Sequence, residues 1–96
     1  MERKYELVMV INPKLEEEAL EAVIAKYSNL VTNNGGEIIK LDRWGKRRLA
    51  YEINHITEGF YILMKFSGSS TISQEMERQF GISDDVIRHL IVRDDD

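Results

Sequence analysis

The chain contains no cysteine and only one proline in 96 residues. Without cysteine, neither a disulfide framework nor thiolate chemistry is available, which fits a reducing compartment. No apolar run approaches the roughly 20 residues that a membrane-spanning helix needs. Residues 1–4 lead directly into a strand pattern and contain no hydrophobic region of a signal peptide. These absences predict a cytoplasmic protein.

Motifs that mark enzymes and cofactor sites are also missing. The sequence has no P-loop, no nucleophile elbow and no glycine-rich phosphate fingerprint. His55 and His89 have no cysteine or carboxylate at the spacing of a metal site. Asp84-Asp85 is typical of a turn before a strand rather than of an acid–base pair. We therefore expect no enzymatic activity, no catalytic residues, no metal and no cofactor.

The composition is that of an ordinary globular protein, with 43% hydrophobic and 31% charged residues. This length predicts a single domain over residues 1–96, with residues 93–96 as an acidic tail. The net charge of −4 argues weakly against nucleic acid as a partner. However, acidic residues are concentrated at Glu16, Glu17, Glu18 and Glu21 and in the tail, so other parts of the surface can be basic.

Hydrophobic patterning predicts six elements in the order β-α-β-β-α-β. Apolar residues alternate from residue 3 to residue 11, which predicts the first strand. The first helix is predicted from an apolar stripe at helical spacing, formed by Leu20, Val23, Ile24, Tyr27 and Val31. Glutamates 16–18 suit the positive end of the helix dipole, and the turn residues 33–36 end the helix.

A long alternating segment begins at Glu37 and predicts the second strand, with a bend or bulge at Gly45. We expect this strand to extend beyond the core at its centre. Its predicted apolar face consists of Ile39, Leu41, Leu49, Tyr51 and Ile53. Residues 54–58 are predicted to form a hairpin loop, after which Gly59 opens the third strand.

The last part of the chain predicts a second helix and a fourth strand. Thr71 and Gln74 fit a capping box at the helix start, and Gly81 is expected to end the helix. The buried stripe of this helix is predicted to be Ile72, Met76 and Phe80. In the strand, over residues 86–92, one face is predicted to carry Val86, Leu90 and Val92. The order favours an α+β, ferredoxin-like fold, a four-stranded antiparallel sheet with two helices on one face.

A basic segment stands out against the acidic background. Between residues 40 and 48 a single acid, Asp42, accompanies five cations, namely Lys40, Arg43, Lys46, Arg47 and Arg48. Such a segment can bind a polyanion, or it can be a charged edge strand that prevents unwanted strand pairing. Trp44 within it either stacks on a base or ribose or covers the bend of the strand.

RNA-recognition modules of ferredoxin-like fold stack bases on aromatic residues of the third strand. In residues 58–65, Gly59 and Phe60 match their signature, but Ile62 replaces a stacking aromatic residue. We therefore expect Phe60, Ile62 and Met64 to belong to the core. The sheet is not expected to read single-stranded bases in that way.

Five motifs along the chain resemble one known family, that of the sixth protein of the bacterial small ribosomal subunit. They are Lys4-Tyr5-Glu6, Asn12-Pro13, residues 44–51, Gly59-Phe60-Tyr61 and residues 83–89. The resemblance implies the ferredoxin-like fold and a structural role. It also implies binding to the central domain of small-subunit ribosomal RNA together with the eighteenth small-subunit protein.

Carried over by position, the RNA-binding residues implied by this resemblance are Arg3, Lys46, Arg47, Arg48 and Arg88. Some relatives continue well beyond the last strand, so partner contacts made by a longer tail are not carried over. Two other classes remain open for this fold. One is a regulatory domain that binds a small molecule, and the other is an acylphosphatase-like hydrolase, which the missing phosphate loop disfavours.

Overall fold

The computed structural model describes residues 3–53 and 55–94. It contains, in chain order, β1 (Arg3–Ile11), α1 (Glu17–Asn33), β2 (Glu37–Ile53), β3 (Ile56–Gly68), α2 (Ser70–Ile82) and β4 (Val86–Arg93). The four strands form one sheet in the order β2-β3-β1-β4, and all neighbours are antiparallel. The predicted element order and ferredoxin-like fold are confirmed. No helix in the described part of the chain is both long and apolar enough to cross a bilayer.

The core lies between one face of the sheet and both helices. β1 contributes alternate residues to it, and all four are buried: Tyr5, Leu7, Met9 and Ile11. The same cluster contains the predicted stripe of α2, which is Ile72, Met76 and Phe80, and four of the five predicted stripe residues of α1, which are Val23, Ile24, Tyr27 and Val31. The fifth, Leu20, is partly buried and packs against the cluster. Because strand side chains alternate between faces, both helices must cover the same side, here called the helix face.

On the other side of the sheet, here called the open face, neither α1 nor α2 packs. It carries the residues of β1 with the opposite parity and their cross-strand neighbours, which are Glu6, Val8, Val10, Tyr61, Leu63, Lys65, Arg88, Leu90 and Val92. Val10 and Leu63 are nevertheless buried, although neither belongs to the core cluster. Leu90 and Val92 are exposed. The open face is therefore partly apolar.

Two bulges, one in β2 and one in β4, place residues of these edge strands on a different face of the sheet from the one predicted. In β2 the register shifts between Ile38 and Lys40, so Ile38 and Leu41 pack against the core while Ile39 is 51% exposed. The predicted core position of Ile39 was therefore wrong. A bulge inserts one extra residue and reverses the alternation beyond it.

In β4 the register of pairing with β1 shifts between the residues that lie opposite Val10 and Ile11. It places Val86 on the helix face, where it joins the core cluster, and leaves Leu90 and Val92 on the open face. The prediction that these three residues share a side was wrong for the same reason. Side chains of a strand alternate between the two faces of the sheet only as far as the next bulge.

The hairpin between β2 and β3 is tighter than predicted. β2 continues to Ile53 and β3 begins at Ile56, so the loop is not residues 54–58, and Asn54 itself lies outside the described residues. His55 in the turn has a φ of 66°. Beyond the last β1–β3 pair, Ile11–Phe60, no described residue of the hairpin pairs with β1. We call this part, residues 47–59, the arm; β2 thus extends beyond the core at its C-terminal end rather than at its centre.

Gly59 lies inside β3 at the base of the arm and does not open the strand. A Cβ there would collide with the side chain of Val10, so the close approach of the arm to β1 requires glycine. Tyr51 in the arm is 60% exposed, and its prediction as an apolar-face residue was wrong.

The helix ends differ in detail from the prediction. α2 begins at Ser70 after Ser69 as N-cap, without a side-chain cap, so the capping box predicted from Thr71 is absent. α2 ends at Ile82, just after Gly81. Of the predicted acidic tail, Asp94 donates its backbone N–H to the Lys4 carbonyl at 2.8 Å; Asp95 and Asp96 lie outside the described residues.

Candidate nucleic-acid interface

The basic segment is shaped by a second bulge in β2. The register shifts between Arg43 and Gly45, and Gly45 has a φ of 83°, a left-handed conformation that glycine adopts without a steric penalty. The predicted bend at Gly45 is therefore confirmed. Trp44 stacks on Tyr61 of the open face, with ring centroids 6.3 Å apart at an interplanar angle of 13°. In this position 41% of Trp44 is exposed.

Two of the five cations in this segment are paired within the molecule. Arg43 donates from Nε and Nη2 to the two carboxylate oxygens of Glu21 in α1, at 2.9 and 2.7 Å. This fork lowers the pKa of Glu21 and raises that of Arg43. Lys40 Nζ lies 3.3 Å from Asp42 Oδ2. These two cations are therefore already neutralised by carboxylates of the same chain.

The other three cations, Lys46, Arg47 and Arg48, remain available. All three are exposed, and no carboxylate of residues 3–53 or 55–94 lies within salt-bridge distance of them. Lys46 Nζ lies 5.4 Å from the Phe60 ring centroid. Arg47 donates from Nε to the Trp44 carbonyl at 3.4 Å, and its Cζ lies 5.5 Å from the indole centroid. Aromatic neighbours thus orient two of the three charges without neutralising them.

These three cations point to both sides of the sheet. Lys46 lies opposite Phe60, a residue of the helix face, whereas Arg47 lies opposite Gly59, whose parity is that of the open face. Arg48 follows Lys46 by two residues and therefore lies on the same side of the sheet as Lys46. Because β2 is an edge strand, a ligand that approaches from the edge can reach both sides at once.

Arg88 approaches the basic segment from the opposite edge of the sheet. It lies on the open face of β4, and its Cζ is 5.4 Å from the ring centroid of Tyr51 in the arm. β2 and β4 are separated by two strands, so this contact requires the arm to curl across the open face. The structure thereby brings Arg88 close to the arm that carries Arg47 and Arg48.

Arg3 lies at the other end of the sheet. It pairs with Gly68, whereas the arm begins beyond the pair of Ile11 with Phe60. Eight residue steps of a strand span about 26 Å. The structure therefore does not group Arg3 with the other predicted RNA-binding residues, and its assignment stays a prediction, as do those of Lys46, Arg47, Arg48 and Arg88.

Three residues of this region were missed in the sequence. Tyr51 and Tyr61 both face this surface, and the parity of Tyr61, opposite to that of the core residues Phe60 and Ile62, was a signal for it. Glu21, which neutralises Arg43, belongs to another element, and no local pattern connects the two.

The titratable residues outside this region form simple pairs. His89 Nε2 lies 2.8 Å from Glu77 Oε2, and the imidazole stacks on Phe80 with centroids 4.4 Å apart. His55 Nδ1 lies 3.2 Å from Glu52 Oε2 in the arm. Among the described residues, no three histidines or carboxylates are grouped as metal ligands.

Comparisons with known proteins agree on one family. The family model described as ribosomal protein S6 matches residues 4–93. The small ribosomal subunit protein bS6 of Heliobacterium modesticaldum is 53% identical over 94 residues, 98% of each chain. That of Moorella thermoacetica is 50% identical over 91 residues, 95% of this chain and 93% of the relative. The crystal structure of 30S ribosomal protein S6 from Thermotoga maritima superposes with a TM-score of 0.91 at 30% identity, covering 98% of this chain and 89% of that one.

Proposed function

The chain belongs to the ribosomal protein S6 family of structural, non-enzymatic small-subunit proteins, and on this premise we propose that it binds the central domain of small-subunit ribosomal RNA together with the eighteenth small-subunit protein. It would do so in the cytoplasm, as part of the ribosome. Family membership also favours this function over a regulatory domain that binds a small molecule.

The observation that carries the proposal is a set of three cations on one strand, Lys46, Arg47 and Arg48, for which residues 3–53 and 55–94 supply no carboxylate partner. A strand holds the backbone of these residues in place, so phosphate contacts require little further loss of conformational entropy. The guanidinium groups of Arg47 and Arg48 can each contact two phosphate oxygens at once. The paired neighbours Lys40 and Arg43 show that the chain neutralises some cations of the segment and not these.

The arrangement suits recognition of RNA shape rather than sequence. Contacts to phosphates position a protein on a nucleic acid without reading its bases. Lys46 and Arg47 point to opposite faces of the edge strand, and Arg88 adds a charge from across the open face. Such a spread of charge fits the irregular backbone of a folded RNA.

The partner protein enters the proposal through the charge balance. The net charge of the protein is −4. RNA is also negatively charged, so it repels the protein as a whole and is attracted only by the local basic surface. We expect weak binding by this protein alone. A partner that binds RNA beside it should tighten the complex by a coupling free energy of about 1–3 kcal/mol.

A filter-binding titration with a central-domain fragment of the ribosomal RNA tests the proposal. It is carried out with this protein alone and then with the eighteenth protein present, and the expected result is clear tightening in the second case. Sedimentation with small ribosomal subunits, reversed by high salt, should accompany it. Absence of binding in both titrations, or tight binding that the partner does not change, would contradict the proposal.

A further inference from the structure

A groove of about 320 Å³ lies on the open face, beside the basic segment. Its lining consists of Val8, Val10, Tyr61, Arg88, His89 and Leu90. The lining is partly apolar, since it includes Val8, Leu90 and the buried Val10. No carboxylate of residues 3–53 or 55–94 is among its lining, although the chain as a whole is acidic.

Aromatic residues and arginines adjoin the groove on two sides. On one side Trp44 stacks on Tyr61, and Arg47 lies over the indole. On the other side Tyr51 covers the guanidinium of Arg88. Trp44 and Tyr51 are 41% and 60% exposed, and exposed aromatic residues that cluster in this way mark interaction sites.

We propose that this groove holds one unpaired base of the ribosomal RNA, stacked against the aromatic residues beside it. The inference rests on the proposed function, because it adds a base-binding site to the phosphate-binding cations. Every base has flat apolar faces, which stack on aromatic side chains without regard to sequence. The groove reaches the lower limit of about 300 Å³ for pockets that hold small organic ligands, so a single base fits.

The positive charge beside the groove favours RNA as its occupant over the other candidate, an apolar segment of a partner protein. Both arginines beside the groove, Arg47 and Arg88, belong to the predicted phosphate-binding set, so the groove is continuous with that surface. A nucleotide brings a phosphate for these guanidinium groups together with the base. An apolar peptide would bury the same arginines without a partner, which is costly.

Two leucine variants test the site by removing an aromatic plane while keeping apolar volume, Tyr51→Leu and Tyr61→Leu. Each is titrated with the central-domain RNA fragment in the presence of the eighteenth protein. We expect each to weaken RNA binding about 5-fold to 150-fold, the range of aromatic–base stacking. The slope of log K against log salt should change by less than it would on the loss of one phosphate contact. The matched control is Ile82→Ala, since Ile82 is 70% exposed at the end of α2, and it should bind like the wild type.

Trp44 supplies a second readout, because it is the only tryptophan in the chain and stacks on the groove residue Tyr61. Its fluorescence should change on addition of RNA to the wild type. Denaturant melts first establish that both variants are folded, and RNA-free sedimentation measures their binding to the eighteenth protein.

The outcomes separate the two proposals. If the wild type does not bind RNA with its partner, the proposed function fails. If the wild type binds RNA and both leucine variants bind it equally well, the base site is overturned while the proposed function stands. If the variants instead lose affinity for the eighteenth protein in the absence of RNA, the groove holds a protein segment and the base site is likewise overturned.

Discussion

Replacing Lys46, Arg47 and Arg48 together with glutamine should reduce the salt dependence of RNA binding. The change keeps side-chain polarity and removes three charges that have no carboxylate partner within the described residues. Each lost phosphate contact flattens the slope of log K against log salt by roughly 0.7–0.9. Three contacts therefore predict a change of roughly 2–3 in the slope. The assay is filter binding with the eighteenth protein present, repeated at several salt concentrations.

The same strand offers a matched control. Lys40 and Arg43 are cations of the same basic segment, but Asp42 and Glu21 already neutralise them. The double variant Lys40→Gln/Arg43→Gln should therefore leave the slope close to that of the wild type. An equal flattening in the double and triple variants would refute the division of the segment into paired and available cations.

The triple variant also separates RNA binding from protection of an edge strand. Exposed charges without partners usually change stability by about 0.5 kcal/mol or less, so its denaturant melt should match the wild type. If these residues only block strand pairing, the slope will stay constant and sedimentation velocity will show self-association instead. That result would refute the proposed phosphate contacts.

Three further predictions concern stability. Ile24→Ala should cost about 2–5 kcal/mol in denaturant melts because Ile24 is 2% exposed in the core; a cost near zero would contradict this packing. Tyr27→Phe should change stability by less than about 1.5 kcal/mol, because the buried Tyr27 Oη interacts with the Ser83 side chain without a hydrogen bond of good geometry; a larger loss in the melts would contradict this. Hydrogen bonds from Arg78 and Gln79 lower the pKa of Glu75 from 4.5 to about 2, so these contacts stabilise the fold above pH 4.5 and cease to do so as the pH falls toward 2. Urea melts across this range should show a shallower loss for Glu75→Gln than for the wild type, and identical profiles would contradict it.

The fold could be predicted from the sequence because its main signals are local. The stripe that includes Val23, Ile24 and Tyr27 fixed the buried side of α1, and the alternation of β1 fixed the core side of the central strand. Gly45 marked the bend of β2, since a left-handed residue inside a strand pattern favours glycine.

What failed depends on contacts between distant residues. Ile39 and Val86 changed faces because bulges form through pairing with the neighbouring strand, which the single strand pattern does not contain. Glu21 pairs with Arg43 across two elements, so counting charges along the segment overestimated the charge available to a ligand. Tyr51 was assigned to the core because parity does not show that the arm leaves the sheet.

The position of β1 at the centre of the sheet has a consequence for synthesis on the ribosome. β1 is made before the other three strands of the sheet, yet its two neighbours are β3 and β4, so that Tyr5 pairs with Arg93. The hairpin of β2 and β3 can close from adjacent segments, but β1 stays unpaired on one edge until translation reaches the C-terminal strand. Contacts between such distant segments form slowly. Nascent chains of this protein therefore expose an apolar strand edge from the synthesis of β1 until that of β4, and chaperone protection against aggregation matters most in this interval.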